Sequence, residues 1–232
     1  MISNDLDLEH WRRALASRSR VQIPGFLQPA AAEALAQDLE QRVPWQLAER
    51  SAGASRTTPR GAYPQADEYD ALIRRGYAQA ATSYQFAYDS YMLVKAAQEA
   101  WDPELLVNRM LTFFNSADFI EFARYLASDP AINAANAQCT RYRPGHYLMP
   151  HEDLDVSEGR RYAFVINLAR EWRPDWGGQL QFLGDDGSVT ETFMPGWNML
   201  SLFRVPQRHQ VTLVSPWASR PRHAITGWWL AR

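Results

Sequence analysis

The chain has 232 residues, of which 46% are hydrophobic and 12% aromatic, so it can bury a sizeable core and is not a disordered sequence. Its 24 basic and 26 acidic residues give a formal net charge of −2, with no basic run or stripe. This balance argues against DNA or RNA as the main partner.

Cys139 is the only cysteine, so an intrachain disulfide is excluded and a reducing compartment is favoured. The first twenty residues lack the apolar segment of a signal peptide. No apolar run approaches the ~20 residues that a membrane-spanning helix needs. We therefore expect a soluble, cytoplasmic protein without a membrane partner.

The first part of the chain predicts mainly helical structure. The stretch RVQIPGFLQPAAAEALAQDLEQRVPW predicts a short strand and then a helix with Pro29 in its first turn. Residues 50–68 are rich in Gly, Pro, Ser and Thr and predict a loop.

Two further helices are predicted before residue 138. The segment DPELLVNRMLTFF offers Asp102 as N-cap and Pro103 in the first turn. The segment SADFIEFARYLASDP predicts a helix that Ser116 caps and that ends before Pro130.

From residue 138 onward, short segments rich in β-branched and aromatic residues alternate with turn signals such as SEG, WGG and GDDG. Strands at this spacing are typical of an antiparallel sandwich or barrel. We expect a single α+β domain over residues 1–232, in which residues 1–137 form a helical support region and residues 138–232 a β-core.

His151 and Asp153 are two residues apart, so in extended backbone both side chains point to the same side. A polar turn would explain this pair equally well. His209 lies 56 residues after Asp153, near a strand start, where an isolated histidine is often structural. Two imidazoles and one carboxylate are, however, the facial set that binds non-haem Fe(II) and leaves coordination positions open.

Arg222 begins the strand RHAITGWWL and shares a face with Trp228. An arginine that points into a barrel needs an anionic partner, and a dicarboxylate cosubstrate would supply one. An ordinary salt bridge at the strand start is the alternative, and Arg220 is a rival for the same role.

The order His151-x-Asp153, His209 and Arg222 resembles the 2-oxoglutarate- and Fe(II)-dependent dioxygenases, and among them the prolyl-hydroxylase-like branch. The resemblance covers roughly residues 138–232. The segments that carry it further are YRPGHYLMPHED, RRYAFVINLAREWRPDWGGQLQFL and FMPGWNMLSLF, and VQIPGFLQPAAAEAL is similar to the usual opening of such chains.

The resemblance implies a double-stranded β-helix, a cupin-like jelly roll, behind which the helices pack. It implies that His151, Asp153 and His209 bind Fe(II), and that Arg222 binds the far carboxylate of 2-oxoglutarate. Further residues are implied in the pocket: Tyr142 for cosubstrate and substrate, Asn167 where some relatives carry a tyrosine that assists Arg222, and Trp228, Arg160 and Arg161 for substrate.

The implied reaction is oxidative: 2-oxoglutarate is decarboxylated to succinate while O2 hydroxylates an unactivated C–H bond, with ascorbate as a candidate reductant. Asp153 favours hydroxylation, because related halogenating enzymes lack this carboxylate. The implied substrate is a prolyl residue in a protein or peptide, with a component of the translation machinery as a candidate.

Several alternatives stay open on the sequence alone. The same fold hosts hydroxylases of free amino acids and small metabolites. Two histidines and a carboxylate also bind zinc in hydrolases. A non-catalytic jelly-roll protein that binds a metal or ligand is a third reading. His146 and Asp155, which flank the motif, are either decoys or supports of the site.

Overall fold

The computed structural model describes residues 1–51 and 53–232. Within them the chain forms six α-helices, all of which precede the β-rich part. The helices are α1 (Leu8–Arg18), α2 (Pro29–Gln41), α3 (Ala66–Ala80), α4 (Leu93–Glu99), α5 (Arg109–Phe114) and α6 (Ala117–Ala127), and short 3-10 turns occur at Leu106–Asn108 and Pro174–Trp176.

The same residues form twelve strands that join in one antiparallel sheet. The strands are β1 (Arg20–Pro24), β2 (Gln46–Ser51), β3 (Ala54–Thr57), β4 (Phe86–Met92), β5 (Ala134–Tyr142), β6 (Tyr147–His151), β7 (Arg160–Asn167), β8 (Leu180–Leu183), β9 (Val189–Phe193), β10 (Met199–Arg204), β11 (His209–Val211) and β12 (Arg222–Leu230).

The sheet curls into a nearly closed barrel. Its main path runs β1-β10-β7-β12-β5-β4-β6-β11-β8-β9, and the β2–β3 hairpin pairs onto β4. The two ends of this path meet through side chains, because Arg20 on β1 donates to Glu191 on β9 at 2.6 Å. Phe182 on β8 and Phe203 on β10 pack edge to face inside, with ring centroids 5.1 Å apart.

The helices cover the outer face of the strands around β12 and bury the main core there. Side chains on β12 alternate: Ile225 and Trp229 are fully buried against the helices, whereas Arg222, Thr226 and Trp228 line the barrel interior. This agrees with the face predicted for β12. Leading members of the core are Leu35, Leu39, Phe114, Phe119, Phe164, Ile225 and Trp229.

Local capping explains why α6 begins where it does. The Ser116 hydroxyl accepts from the Phe119 N–H, as predicted, and the helix ends at Ala127 ahead of a left-handed Ser128. The apolar face of α6 packs against β12, where the Phe119 ring meets Trp229 at 6.2 Å between centroids.

Two local predictions were wrong. Residues 50–68 are not a plain loop, since they contain the end of β2, the strand β3 and the start of α3; Ala52 lies outside the described residues. Asp102 does not cap a helix, because it has a left-handed φ of 42° and its carboxylate binds Arg60 and Tyr91.

The predicted division at residue 137 also needs correction. Residues 1–137 contain strands β1 to β4 besides the helices, and β5 already begins at Ala134. The support region is therefore mixed, and β4 forms part of the barrel wall. Every helix in the described ranges is too short or too polar to cross a lipid bilayer.

Candidate active site

A cavity of about 270 Å³ lies inside the barrel. Its lining combines aromatic rings with a few polar groups, the composition typical of a small-molecule site. The polar and aromatic lining residues include Tyr84, Tyr88, Tyr142, His151, Asp153, Arg160, His209, Arg222 and Trp228.

Three of the sequence-predicted residues meet at one side of this cavity. His151 ends β6 and His209 begins β11, and the antiparallel pairing of these strands sets the two histidines directly opposite each other. Asp153 follows β6 by two residues. One ligand atom from each of the three lies within 4.8 Å of the others, a spacing that suits a shared metal ion.

Hydrogen bonds fix both imidazoles in the orientation that a metal needs. The Nδ1 of His151 lies 3.0 Å from the Met149 carbonyl oxygen, and the Nδ1 of His209 lies 2.8 Å from that of Gln207. A proton on each Nδ1 satisfies these carbonyls and leaves each Nε2 with a free lone pair. Each Nε2 lies 3.5 Å from a different oxygen of Asp153.

The electrostatics of the three groups also favour a cation. Burial raises the pKa of the Asp153 carboxyl, but the two imidazoles beside it, those of His151 and His209, outweigh burial, so the net pKa is lowered. Burial lowers the pKa of His209, which favours the neutral imidazole that binds metals. The residues thus fit a divalent ion held by two nitrogens and a carboxylate.

Arg222 points into the same cavity and is fully buried. Its Nε and Nη2 donate to the Asn167 Oδ1 at 3.1 and 2.9 Å, and its Nη1 donates to the Gly178 carbonyl oxygen at 3.0 Å. Within residues 1–51 and 53–232, no carboxylate pairs with this guanidinium. Burial lowers its pKa to about 10, so the group stays charged at neutral pH.

The tight turn of Gly177 and Gly178 positions this contact. Gly177 has a φ of +67°, and a Cβ there would lie 2.0 Å from the Leu213 carbonyl oxygen, so only glycine fits. The turn places the Gly178 carbonyl oxygen within hydrogen-bond distance of Arg222 Nη1. A buried cation that has only neutral partners is costly, and an anion entering the cavity would relieve the cost.

Tyr142 lies beside Arg222, as its predicted role requires. The two residues are directly paired between β5 and β12, and the guanidinium carbon lies 5.3 Å from the Tyr142 ring centre. Tyr88 on β4 stacks on the other side of this ring at 5.3 Å between centroids. Burial raises the pKa of Tyr142 well above its usual range, so its hydroxyl is a proton donor at neutral pH.

Trp228 and Arg160 form the opposite end of the cavity. The guanidinium of Arg160 stacks over the Trp228 ring at 3.9 Å and donates to the carbonyl oxygen of Asp153 at 3.3 Å. Arg161, predicted beside it as a substrate residue, lies elsewhere: its Nε donates to Asp129 at 2.8 Å, and it does not line the cavity. The alternation of β7 separates the two arginines.

The rival residues of the sequence analysis are accounted for by other contacts. Arg220 is half-exposed and pairs with Glu171 at 3.2 Å. His146 is fully buried and lies 2.7 Å from the Tyr69 hydroxyl, away from the candidate ligands. Asp155 accepts from the Ser157 hydroxyl at 2.6 Å in a loop outside the metal group.

The stretch YQFAYDSYMLV, residues 84–94, forms a further wall of the cavity. Tyr84, Phe86 and Tyr88 line the cavity, while Asp89 and Tyr91 are buried elsewhere. The aromatic residues at every second position, 84, 86 and 88, thus share the cavity face.

A family model matches the β-rich part of the chain. Residues 137–230 match the model of the 2OG-Fe(II) oxygenase superfamily. A prolyl 3-hydroxylase of Xenopus laevis, OGFOD1, is 30% identical over 118 residues, which are 48% of this chain and 22% of the relative. The chain thus spans only about a fifth of the length of that relative.

Solved structures share the fold across nearly the whole chain. A prolyl-4-hydroxylase of Pseudomonas putida has a TM-score of 0.60 at 18% identity, with 97% of this chain and 99% of that one covered. A prolyl hydroxylase of Trichoplax adhaerens, solved with a hypoxia inducible factor peptide fragment, has a TM-score of 0.62 at 16% identity, with coverage of 99% and 94%. The predicted α+β jelly roll is confirmed.

Proposed function

We propose that the chain is a prolyl-hydroxylase-like member of the 2OG-Fe(II) oxygenase superfamily and that it hydroxylates a prolyl residue in a protein or peptide. The observation that carries the proposal is one cavity with two complementary groups. These are the His151, Asp153 and His209 group and a buried cation without a carboxylate partner in the described residues, Arg222.

His151, Asp153 and His209 would hold Fe(II). When bound together, Fe(II), 2-oxoglutarate and O2 supply the oxidation of an unactivated C–H bond, a step that side chains alone do not perform. The part of the protein is to fix the three donors: the Met149 and Gln207 carbonyls keep both Nε2 atoms free of protons, and the lowered pKa keeps Asp153 ionised.

Arg222 would bind the far carboxylate of 2-oxoglutarate. Its contacts to Asn167 and Gly178 hold the guanidinium in one orientation, which reduces the entropy lost when the anion binds. Tyr142, whose ring centre lies 5.3 Å from the Arg222 guanidinium carbon, would donate its hydroxyl proton to the same ligand. In this proposal Asn167 assists Arg222 by orienting its guanidinium group. Asn167 does not itself donate a hydrogen bond to the cosubstrate.

The substrate would enter at the end formed by Trp228 and Arg160. Aromatic side chains of β4 and the Trp228 ring surround the candidate metal group and would exclude water around the reacting carbon. The cation–π contact holds the Arg160 guanidinium at the rim of the cavity, where it can donate to a backbone carbonyl of a substrate.

A polypeptide substrate is supported by the names of the relatives. The matched curated relative is a prolyl 3-hydroxylase, and one similar structure was solved with a peptide fragment. The resemblance also favours a component of the translation machinery among candidate proteins. A zinc hydrolase would leave Arg222 without a role in the reaction. A non-catalytic binding protein would not require a metal with open coordination positions near Arg222.

The test is hydroxylation of peptides by the protein loaded with Fe(II) and 2-oxoglutarate in air. Proline-containing peptides, including segments of translation proteins, are incubated with the protein, and mass spectrometry locates an added oxygen atom while succinate is measured. We expect the gain of one oxygen on proline and one succinate per oxygen. Oxidation of free amino acids alone, with no peptide modified, would overturn the proposed substrate class.

A further inference from the structure

A second cavity of about 280 Å³ adjoins the candidate active site at its open end. It lies between α4 and the strand ends that frame the rim of the barrel. Three residues belong to the walls of both cavities: Gln138, Arg160 and Trp228. The two cavities therefore adjoin at Trp228 and Arg160.

The lining of the second cavity mixes apolar and polar side chains, and its charged members are mostly positive. Besides the shared residues it is formed by Met92, Val94, Lys95, Gln98, Asn136, Ala137, Glu158 and Arg232. Glu158 is the one acidic side chain among these lining residues, and it is already engaged. Its Oε2 accepts from Arg160 Nε at 2.9 Å and from Asn136 Nδ2 at 3.2 Å.

Lys95 differs from Arg160 in having no carboxylate partner in the described part of the chain. Glu99 lies one turn further along α4, at the spacing that usually gives an ion pair. Its carboxylate instead accepts from the Trp101 indole N–H at 2.9 Å. Lys95 is also the only lysine beside 23 arginines, and its ammonium is exposed at the cavity wall.

We propose that this second cavity is a subsite for an acidic side chain of the substrate polypeptide, with Lys95 as its cation. The inference rests on the proposed function, since it assumes that a peptide occupies the metal cavity. An extended chain advances roughly 3.3 Å per residue, so a segment passing Trp228 would place a residue that flanks the oxidised one at the subsite. Gln98 adds an amide group for the backbone of that segment.

The charge pattern argues for an acidic group and against a basic one. Glu158 is paired with Arg160, so the Lys95 ammonium is a lining charge left without a carboxylate partner within the described residues. A carboxylate there gains an attractive partner, whereas a lysine or arginine meets like charge. The subsite would thus select among prolyl sequences by their flanking residues, while Arg160 and Trp228 contact the segment nearest the metal.

The experiment measures peptide binding under anaerobic conditions, where turnover cannot occur. The probes are fluorescein-labelled proline peptides in matched sets that carry Glu or Gln at one of the three positions on either side of proline. The protein is loaded with Fe(II) and 2-oxoglutarate. For at least one position, we expect the Glu peptide to bind about tenfold more tightly than its Gln counterpart, a preference that weakens at high salt.

The variant Lys95→Glu should remove this preference and leave binding of the Gln peptide within about twofold of the wild type. The matched control is Arg74→Glu, a charge reversal on the exposed side of α3, which should retain the preference. Equal binding of Glu and Gln peptides by the wild type, or a preference that persists in Lys95→Glu, would overturn the subsite alone. No binding of any proline peptide would overturn the proposed function together with the subsite.

Discussion

Asn167 offers a single oxygen to two nitrogens of Arg222, with distances of 2.9 Å to Nη2 and 3.1 Å to Nε. The amide thereby orients a buried guanidinium without neutralising it. A carboxylate at this position would have satisfied the charge and closed the site to an anionic ligand. The pair accounts for how the fold keeps a cation inside a barrel and free of a carboxylate partner in the described residues, as the proposed contact with 2-oxoglutarate requires.

Replacing Arg222 should weaken 2-oxoglutarate binding strongly. Loss of one partner of a buried charge pair costs at least about 2 kcal/mol, so Arg222→Ala should raise the dissociation constant roughly 30-fold or more. Titration of the Fe(II)-loaded protein with 2-oxoglutarate measures the effect. Arg220→Ala, which removes an exposed arginine two residues away, is the control and should bind like the wild type. Unchanged affinity in Arg222→Ala would remove this residue from its proposed role.

Metal binding should depend on Asp153 and not on its neighbour. Asp153→Ala removes one of the three donors and should lower Fe(II) affinity by more than about 100-fold. Asp155→Ala is a matched control, because its carboxylate is also acidic and only two residues away but accepts from Ser157 outside the donor group. Competition with a chromophoric chelator gives both constants. Equal losses in the two variants would mean that the metal sits elsewhere.

The two adjacent arginines at the start of β7 should behave differently towards a peptide substrate. Arg160→Ala removes the cation stacked on Trp228 and should raise the KM for a peptide roughly tenfold, with little change in the KM for 2-oxoglutarate. Arg161→Ala should leave both values unchanged, since that side chain pairs with Asp129 away from the cavity. Steady-state kinetics on a single peptide separate the cases, and a larger effect of Arg161 would reverse the assignment.

A buried ion cluster behind the cavity should be important for stability. Asp89 is fully buried and accepts from Arg141 at 2.7 Å and from the Tyr63 hydroxyl at 2.6 Å. Asp89→Ala would leave these donors and a largely buried cation without a partner, at a cost of about 3–5 kcal/mol. Urea unfolding measures the loss. Asp175→Ala, which breaks an exposed pair with Arg173, should cause no measurable change.

The fold should lose stability in mild acid because of buried neutral histidines. Burial, and then the charge of Arg141, lower the pKa of His223 from 6.5 to about 4. Below pH 6.5 the unfolded chain takes up a proton that the folded chain does not bind. The contribution of neutral His223 to the free energy of unfolding is fully present above pH 6.5. It is lost as the pH falls to about 4, for a total of about 3 kcal/mol.

His223→Phe tests this pH dependence. The phenyl ring can keep the stacking on Trp45, which lies 5.9 Å from the imidazole, and the buried Nε2, which has no hydrogen-bond partner in the described structure, is removed. The unfolding free energy of the variant should therefore change less between pH 7 and pH 4.5 than that of the wild type. Parallel pH curves for the two proteins would show that another group causes the acid sensitivity.

The β-core could be predicted because its signals are periodic and local. In β12 the alternation of side chains predicts that Arg222, Thr226 and Trp228 face one side and Ile225 and Trp229 the other. The structure places the first three in the cavity wall and the last two in the core. The spacing between Asp153 and His209 does not show that β6 and β11 are paired. Only the resemblance to a family linked these residues before the structure did.

The errors have physical causes that lie in tertiary contacts. Strand β3 is short and fully exposed, so it has no apolar period, and pairing with β2, which in turn pairs with β4, is what makes it a strand. Aspartate is a residue type that often caps helices, yet both carboxylate oxygens of Asp102 accept from Arg60 Nη2 instead. Arg161 was grouped with Arg160 because sequence proximity does not show that Asp129 lies beside the outer face of β7.

The most direct test of the central claim is an anaerobic titration of the apo-protein with Fe(II) and then 2-oxoglutarate, followed by visible absorption. We expect the metal-to-ligand charge-transfer band that arises when 2-oxoglutarate chelates Fe(II), and we expect the band to be absent in Asp153→Ala. In Arg222→Ala the band should require far more 2-oxoglutarate. Binding of iron without any band on addition of 2-oxoglutarate would contradict the assignment of this cavity to the metal and its cosubstrate.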